Sequence, residues 1–297
     1  ALWSALALLI IGGPLAGSAW SKRHHEAPKP QYRKAETASL AQPWTNGLGM
    51  QFVPVAGCDV LFSQYEIRNR EWLKFREIER SMIPSWRNES TAANTNEHSM
   101  MGLQGWEKRS DAELLALPDH AACGISWQDA QYFCNWLTLN ERHEGRISSA
   151  QYYRLPTDEE WTLAAGKATI GDGIVGNFAG PEAKTENWPA NLTTRSIADA
   201  FPQAAPCGSF PPNENGLYDL SGNAMEWVDD VYESLARIEE NEARALRTLR
   251  GGSWANGNRA EMQSSYHFKA RPNRRRVDFG FRCVLVVAEK PVTEKKE

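Results

Sequence analysis

The densest pattern in this chain is "GLYDLSGNAMEWVDD", residues 216–230. Glycine, serine, asparagine and aspartate are the residues of tight turns and irregular loops. Loops rich in aspartate, asparagine and free carbonyls also supply the six to eight oxygens that calcium prefers. Two interpretations follow: the stretch is a calcium-binding loop, or it is a turn in which Asp219 and Asn223 cap their own backbone.

The composition is that of a folded, globular protein. The 297 residues suit one large domain with appendages. Hydrophobic residues make up 41% of the chain and charged residues 24%, which is ordinary for a protein with a full core. The formal net charge of −4 gives no case for nucleic-acid binding.

The N-terminal segment, residues 1–20, contains no charged residue. As a helix it would be about 30 Å long, which is roughly the thickness of the bilayer's hydrocarbon layer. We therefore expect a membrane anchor, with a signal peptide cut after Ala19 and a buried helix as alternatives. In each case residues 21–45 read as a polar, proline-containing tether.

The anchor implies a location outside the cytoplasm, either periplasmic or on the cell surface; a cleaved signal peptide implies secretion instead. The chain begins with alanine and has no basic leader. This favours a piece of a longer protein.

Several elements are predicted in the first half of the chain. Two short strands are expected on either side of Ala56–Gly57, followed by a helix that starts at Asn69. Residues 81–122 read as a loop-rich insertion. A second helix should begin at a cap made by Ser126 and Asp129.

The second half is predicted to contain one further helix, a charged run and a terminal strand. Thr157 and Glu160 form a capping box, and Gly166 should end that helix. Residues 233–247 resemble a charged helix, and the apolar run at 279–287 is expected to be a central strand.

The chain has five cysteines, and none of them has CxxC spacing, so a zinc knuckle is not expected. An oxidising compartment would favour at least one disulfide. Cys58 and Cys123 are one candidate pair, but the sequence does not assign the partners of Cys58, Cys123 and Cys207.

Five motifs occur in the order and spacing of one known family. They are "ISWQDAQYFCNWL", "YRLPTDEEW", "NENGLYDLSGNAMEW", "LRGGSW" and "FGFRC". The chain from 46 to about 287 therefore resembles the sulfatase-modifying factor domain, the catalytic part of formylglycine-generating enzyme and a variant of the C-type-lectin-like fold. The resemblance implies one α+β domain over residues 46–288, loop-rich and stabilised by calcium. The composition of residues 289–297 indicates a polar tail.

The resemblance also implies two calcium sites and a disulfide. The positions that match the family's ligands are Asn191, the carbonyl of Leu192, Asp199 and the carbonyl of Phe201 for the first site, and Asp219, the carbonyls of Gly222 and Ala224, and Glu226 for the second. The implied disulfide joins Cys134 to Cys283. The loop that it closes is long, so the bridge would contribute about 4 to 5 kcal/mol in the chain-entropy model.

The reactive centre of the family does not carry over. Formylglycine-generating enzymes bind copper(I) with two cysteines after "RGGS", whereas this chain has Asn256 and Glu261 there and retains Ser253. Copper(I) is soft and needs thiolate or thioether ligands, while an amide and a carboxylate are hard donors. We therefore expect calcium as the cofactor, and no copper and no formylglycine synthesis.

The segment after "RGGSW" is the ligand-facing surface in C-type-lectin-like domains. Here it is rich in basic and aromatic residues, and the candidate contacts are Trp254, Asn258, Arg259, Tyr266, His267, Lys269, Arg271 and Arg274. Such a patch suits an anionic glycan, a peptide or an acidic protein face. The alternative is that Arg271 to Arg276 form internal salt bridges. Arg282 of "GFR" is expected to be structural.

These inferences lead to two functional hypotheses. The first is a divergent, membrane-tethered binding or sensing module outside the cytoplasm, fused to or associated with a signalling domain, as similar bacterial domains often are. The second is an oxidoreductase or other protein-modifying enzyme of the same family whose site near Ser253, Asn256 and Glu261 has changed. A concave pocket would favour the enzyme, and an exposed patch of arginines and aromatics the binding module.

Overall fold

The computed structural model describes residues 32–82, 111–166, 175–184, 194–196, 198–231 and 246–287. The predicted helix at 1–20, the first part of the tether and nearly all of the charged run at 233–247 lie outside these residues. The family resemblance predicted an α+β fold, and the described residues form a mixed arrangement of short helices and two sheets.

The helices in the described residues are α1 (Asn69–Met82), α2 (Asp111–Leu115), α3 (Trp127–His143) and α4 (Asp158–Ala165), with short 3-10 turns at Ala35–Thr37 and Pro181–Ala183. The strands are β1 (Trp44–Thr45), β2 (Gln51–Pro54), β3 (Val60–Ser63), β4 (Tyr152–Arg154), β5 (Met225–Val231), β6 (Arg247–Arg250), β7 (Phe268–Ala270), β8 (Phe279–Gly280) and β9 (Val284–Val286).

The first sheet has the strand order β1-β2-β3-β9-β4, and all of its pairs are antiparallel. The predicted pair of strands around Ala56–Gly57 is β2 and β3. β9 lies inside this sheet between β3 and β4, so the central strand predicted at 279–287 is confirmed for Val284–Val286. The start of that run, Phe279–Gly280, instead forms β8 at the edge of the second sheet. The second sheet has the order β7-β6-β5-β8. As in the first sheet, neighbouring strands are not always consecutive in the sequence.

Both predicted capping boxes are present. The Ser126 hydroxyl accepts the amide of Asp129, and the Asp129 carboxylate accepts the amide of Ser126. Thr157 and Glu160 make the same reciprocal pair at α4. Each box satisfies amide groups that the first turn of a helix leaves without partners, which is why these two helices start where the sequence indicated.

The tether prediction was wrong for residues 32–45. Trp44 is only 2% exposed, and β1 pairs with β2. The Trp44 indole donates to the carbonyl of Arg33 at 2.8 Å. A tryptophan contributes a large buried apolar surface, so this stretch is part of the domain.

The core is aromatic and lies mainly between α1, α3 and the two sheets. Phe133 on α3 packs edge-on against Phe75 of α1 and against Phe281, at ring-centroid distances of 5.7 and 5.4 Å. Edge-to-face pairs of this kind add to the free energy of burying the rings themselves. Trp227 of β5 packs on Phe279 of β8 in the same way.

Cys134 and Cys283 meet in this core. Both are buried thiols, and they share a hydrogen bond. Burial, followed by the contact with Cys283, raises the pKa of Cys134 well above its usual value. The disulfide remains a prediction. Cys58 and Cys123 pack against different apolar clusters, which does not favour the pairing considered for them.

Glu141 at the end of α3 is buried, with 0% exposure, and its Oε1 accepts the amide of Gly47 at 2.8 Å. Burial raises the pKa of Glu141 to about 7, although Gly47 and Arg146 oppose the shift and Glu144 adds to it.

Because the folded pKa of Glu141 exceeds the unfolded one, protonation of Glu141 stabilises the fold at low pH. This contribution is lost as the pH rises from about 4.5 through about 7. We expect Glu141→Gln to flatten the dependence of Tm on pH in this window, because glutamine keeps the Gly47 hydrogen bond and does not titrate. Glu77→Gln, at an exposed position of α1 that does not contribute to the shift of Glu141, is the control. Parallel curves for wild type and E141Q would contradict the prediction.

Candidate functional site

Gly222 allows the turn before β5 to form. Its φ of +87° is left-handed, and a Cβ atom there would lie 2.4 Å from the carbonyl oxygen of Asn177. Its amide donates to the carbonyl of Gly251 at 2.8 Å, and the amide of Asn223 donates to the carbonyl of Asn177 at 2.8 Å. The turn is pressed against two other segments, so position 222 requires glycine.

The polar side chains of this turn bind remote segments of the chain. The Asp219 carboxylate accepts the amide of Gly208 at 2.6 Å. The Asn223 side chain accepts the amide of Ala205 at 2.8 Å and donates to Glu66 at 2.5 Å. These hydrogen bonds therefore do not support the alternative in which Asp219 and Asn223 cap their own backbone.

Glu226 follows the turn on β5 and is bound by a fully buried arginine. The Arg282 guanidinium donates to both Glu226 oxygens at 2.6 to 2.9 Å, and the Trp161 indole donates to Oε2 at 2.8 Å. Arg282 and Glu226 are both 0% exposed. The structural role predicted for Arg282 agrees with this geometry.

Two more carboxylates lie near this pair. Burial, and then the charges of Asp219 and Glu226, raise the pKa of Glu66 well above its usual value. Burial raises the pKa of Asp219 to about 6, while Gly208 and Arg282 oppose the shift. Ligand atoms of Glu66, Asp219 and Cys207 lie within 4.8 Å of one another. A cation would relieve the repulsion between these carboxylates, so the donor set suits one.

Only part of the first predicted calcium site can be examined, because Asn191 and Leu192 lie outside the described residues. Asp199 accepts the amides of Phe178 and Phe201 at 2.7 and 3.0 Å. It also forms a salt bridge of 2.9 Å with Arg195. At this position a guanidinium already balances the charge of the aspartate.

Ser253 is at the centre of a buried polar network. Its Oγ lies 2.5 Å from Oδ2 of Asp278 and 2.8 Å from Oδ1 of Asn256. Arg276 binds the two oxygens of Asp278 through Nε and Nη2. Because Ser253 is 0% exposed, an external substrate does not reach its hydroxyl in this conformation.

Asn256 and Glu261, at the positions of the family's copper-binding cysteines, bind each other. The Asn256 carboxamide donates to Oε2 of Glu261 at 2.7 Å. The structure thus joins Ser253, Asn256 and Glu261 in one network, as their sequence positions suggested. Cys123, which sequence reasoning did not connect with this network, packs against the cluster that contains Trp254 and Ala255.

Asp219, Leu220 and Ser221 line a cleft of about 290 Å³. Its walls come from the end of α4, the loop at 210–221 and the segment that follows Glu261. The lining is mainly apolar, with a few polar groups, and consists of Ala165, Val175, Phe210, Pro211, Pro212, Asn213, Leu217, Asp219, Leu220, Ser221, Met262 and Ser264. The cleft could not be predicted from the sequence, because its walls come from distant parts of the chain.

The predicted ligand-facing residues divide into three groups. Trp254 is 1% exposed, so its prediction as a ligand contact is wrong for this conformation: the ring packs in an apolar cluster. Tyr266 and Arg274 are half-buried. The remaining positions are exposed: Asn258, Arg259, His267, Lys269 and Arg271.

The alternative of internal salt bridges holds for two arginines of this segment. Arg275 pairs with Asp129 at 2.6 Å, and Arg276 pairs with Asp278. His267 also has protein partners, since its ring nitrogens lie 2.9 Å from the carbonyl of Ser265 and 3.0 Å from Asp158.

Glu66 and Asp278 were missed at the level of sequence. Each is a single acidic residue between apolar or aromatic neighbours, in "YEI" and "VDF". Acidic residues are rarely buried unless they are paired. A lone acid inside a β-prone apolar run is therefore the signal that could have identified both.

The fold and the site define a mixed α/β domain of the formylglycine-generating-enzyme type. The chain belongs to the family of sulfatase-modifying factor enzyme 1-like domains, whose model matches residues 53–287. The resemblance inferred from the five motifs is thereby confirmed.

Several curated proteins are similar to this chain. "Inactive C-alpha-formylglycine-generating enzyme 2" of Mus musculus is 32% identical over 58% of this chain and 50% of its own length. "Formylglycine-generating enzyme" of Bos taurus is 28% identical over 58% and 46%. "Serine/threonine-protein kinase pkn1" of Chlamydia pneumoniae is 27% identical over 55% and 24%. The chain thus spans half or less of the length of these relatives.

Solved structures give distant matches. PvdO from Pseudomonas aeruginosa has 20% sequence identity and a TM-score of 0.47, with 76% of this chain and 80% of that chain covered. Treponema denticola variable protein 1 has 19% identity and a TM-score of 0.47, with 82% and 97% covered.

Arg282→Met should strongly destabilise the domain, by about 3 to 5 kcal/mol, because it leaves the buried Glu226 carboxylate without its partner. Urea unfolding followed by tryptophan fluorescence would measure the loss. The exposed Arg271→Met is the matched control and should change little. Equal midpoints for R282M and wild type would refute a central role for the pair.

Proposed function

We propose that this chain is a binding or sensing domain of the sulfatase-modifying factor family that does not carry out copper-dependent formylglycine synthesis. The observation that carries the proposal is the hydrogen bond between Asn256 and Glu261, at the positions where two thiols would bind copper. Amide and carboxylate oxygens are hard donors and hold copper(I) poorly. Cys123 is a single thiol beside the network and does not make a pair of thiolate ligands.

The names of the relatives support this proposal. One is described as an inactive formylglycine-generating enzyme and another as a protein kinase. These names do not describe formylglycine synthesis, which favours a use of the domain other than oxidation. We therefore propose an associated signalling domain for this chain as well.

The ligand that the cleft suits best is a peptide or protein segment. A mainly apolar cleft of about 290 Å³ would take one or two apolar side chains, and Asn213, Ser221 and Ser264 offer polar contacts at its walls. The segment that supplies Met262 and Ser264 also carries the exposed Arg259, Lys269 and Arg271. These charges would favour an acidic flank on the ligand.

Membrane attachment through residues 1–20, with the domain outside the cytoplasm, remains part of the proposal. It rests on the uncharged character of that segment. In the part of the chain that the structure describes, no helix has the length and apolar character needed to span a bilayer.

We also propose that calcium stabilises the domain at the second site. Asp219 and the carbonyls of Gly222 and Ala224 would hold it, and the nearby Glu66 adds to the negative charge. Both oxygens of Glu226, the fourth ligand that the family pattern implies, already accept from Arg282. The ion would neutralise the carboxylates of Asp219 and Glu66 and so stabilise the turn at 219–224.

Removal of calcium with EGTA should lower Tm by several degrees, because an ion that binds the folded state stabilises it. Asp219→Asn should lose most of this dependence, whereas Asp59→Asn, at an exposed position, should retain it. Differential scanning calorimetry with and without calcium would measure both. An unchanged wild-type Tm in EGTA would eliminate the site.

Incubation of the full chain with copper(I) and a sulfatase-type cysteine peptide should give neither tight copper binding nor formylglycine. A competition titration with a copper(I) chelator and mass spectrometry of the peptide would measure the two. Turnover would support the altered enzyme instead. Copper binding that disappears in Cys123→Ser would identify that thiol as the ligand.

A phage-displayed peptide library should contain sequences that bind the wild type and not Ser264→Trp, because the larger side chain fills the cleft. Ser265→Trp, one residue away and exposed, should still bind them. If no peptide distinguishes wild type from S264W, the cleft is not the binding site. Salt-sensitive retention on immobilised heparin by all three proteins would then indicate an anionic glycan.

A further inference from the structure

Three side chains with metal-binding atoms meet beside the turn at 219–224. The Cys207 thiol lies 3.4 Å from Oε2 of Glu66, and ligand atoms of Cys207, Glu66 and Asp219 all lie within 4.8 Å of one another. On a tetrahedral zinc ion, with bonds of about 2.0 Å to oxygen and about 2.3 Å to sulfur, neighbouring ligand atoms are about 3.3 to 3.5 Å apart. The distance between the thiol and Glu66 therefore fits such an ion without rearrangement.

One carboxylate oxygen in this cluster has no donor. Asp219 is only 8% exposed, and its Oδ2 accepts the amide of Gly208 at 2.6 Å. Among the residues that the structure describes, no group donates a hydrogen bond to its other oxygen, Oδ1. Burying a charged oxygen without a partner is unfavourable, and a bound cation would supply that partner.

The charges around the cluster also favour a cation. Glu66 and Asp219 are both buried, and their hydrogen-bond donors are neutral amides and a thiol. The nearby Arg282 donates to both oxygens of Glu226, and its other hydrogen bonds go to main-chain carbonyls. The repulsion between Glu66 and Asp219 is therefore left for another positive charge to offset.

We propose that Cys207, Glu66 and Asp219 bind a divalent ion that accepts thiolate, with zinc as the natural one. Cysteine sulfur together with carboxylate oxygen is a ligand set that zinc accepts, whereas calcium takes oxygen ligands. The ion replaces the thiol proton, which is released to solvent, and no electron is transferred. Three protein ligands leave a fourth tetrahedral position for water or for a donor atom of a bound molecule.

The cluster has a supporting shell and a route of entry. The Asn223 side chain donates to Oε2 of Glu66 at 2.5 Å, and the amide of Ala224 donates to Oε1 at 2.8 Å. These two bonds fix the orientation of the carboxylate, as the partners of metal ligands usually do. Asp219 also lines the cleft of about 290 Å³, so an ion reaches the cluster from that side.

This inference rests in part on the proposed cation binding at Asp219, because calcium and zinc would share that carboxylate. The ligand that distinguishes the two ions is Cys207, which the calcium proposal does not use. Substitution of Cys207 therefore separates them.

The first test is a titration of the metal-free full chain with cadmium. Cadmium replaces zinc at thiolate sites, and its bond to sulfur gives an ultraviolet charge-transfer absorption that oxygen ligands do not produce. One equivalent should produce this absorption in the wild type and not in Cys207→Ser, whose hydroxyl is a hard donor. Cys58→Ser, which removes a half-buried thiol outside the cluster, is the matched control and should keep it.

Zinc affinity and thermal stability give two further readouts. Competition with a chromophoric chelator should show zinc affinity falling by roughly tenfold or more in C207S and unchanged in C58S. Because EGTA removes zinc as well as calcium, each ion is added back separately. Zinc should restore Tm in the wild type and not in C207S, whereas any restoration by calcium should be equal in both.

The result does not depend on the folding of C207S. Cys134 and Cys283 are fully buried, so cadmium absorption that persists in both Cys58→Ser and Cys123→Ser assigns the bond to Cys207. Loss of the absorption in either of these variants would assign it to another thiol and contradict the proposal.

The zinc site is overturned if the wild type shows no cadmium–sulfur absorption, or if C207S binds zinc as tightly as the wild type. Restoration of Tm by calcium alone, equally in both proteins, would retain the calcium site and reject zinc. Peptide binding in the cleft is measured separately and can fail while zinc binding is found.

Discussion

The buried pair of Arg282 and Glu226 is the interaction on which the rest of the domain depends. Arg282 precedes β9 of the first sheet, and Glu226 lies on β5 of the second. The same guanidinium donates to the carbonyls of Ser63, Gln64 and Tyr218 at 3.2, 3.3 and 2.7 Å. One side chain therefore joins both sheets and the loop before the turn at 219–224. A lysine would not replace it, because only the planar guanidinium offers donors in several fixed directions.

Long irregular segments are held in this domain by side chains that bind distant backbone. Asn213 donates to the carbonyl of Ala164 at 2.7 Å and so fastens the loop at 210–217 to the end of α4. The Asn223 side chain accepts the amide of Ala205 and donates to the Glu66 carboxylate, and so joins these two segments. Such contacts satisfy backbone groups that no ladder reaches, and they explain how so much loop structure can be ordered.

The parts of the fold that follow from local chemistry were predictable from the sequence. The capping boxes at Ser126 and Thr157 and the hairpin of β2 and β3 depend on residues that are close together in the chain, and β9 could be predicted as a strand from its own apolar, β-prone run. The family motifs supplied the rest of the architecture and the positions of Ser253, Asn256 and Glu261.

Features that arise from distant residues were not predictable. The burial of Trp254, the packing of Cys123 beside the site, and the roles of Glu66 and Asp278 depend on segments that meet only in the folded chain. Residues 32–45 look polar in sequence, yet Ala35 and Trp44 are buried and Trp44–Thr45 pairs with β2. Composition averages over a segment, whereas packing is decided by its largest apolar side chain.

The burial of Cys134 and Cys283 affects when their redox state can change. Both thiols are 0% exposed, so a reductant or oxidant reaches them only when the core opens. Whatever redox state the pair has when Cys134 and Cys283 are buried together is retained in a later compartment, because a reagent reaches the thiols only when the core opens. The oxidation state of this pair would then record the environment in which the chain folded.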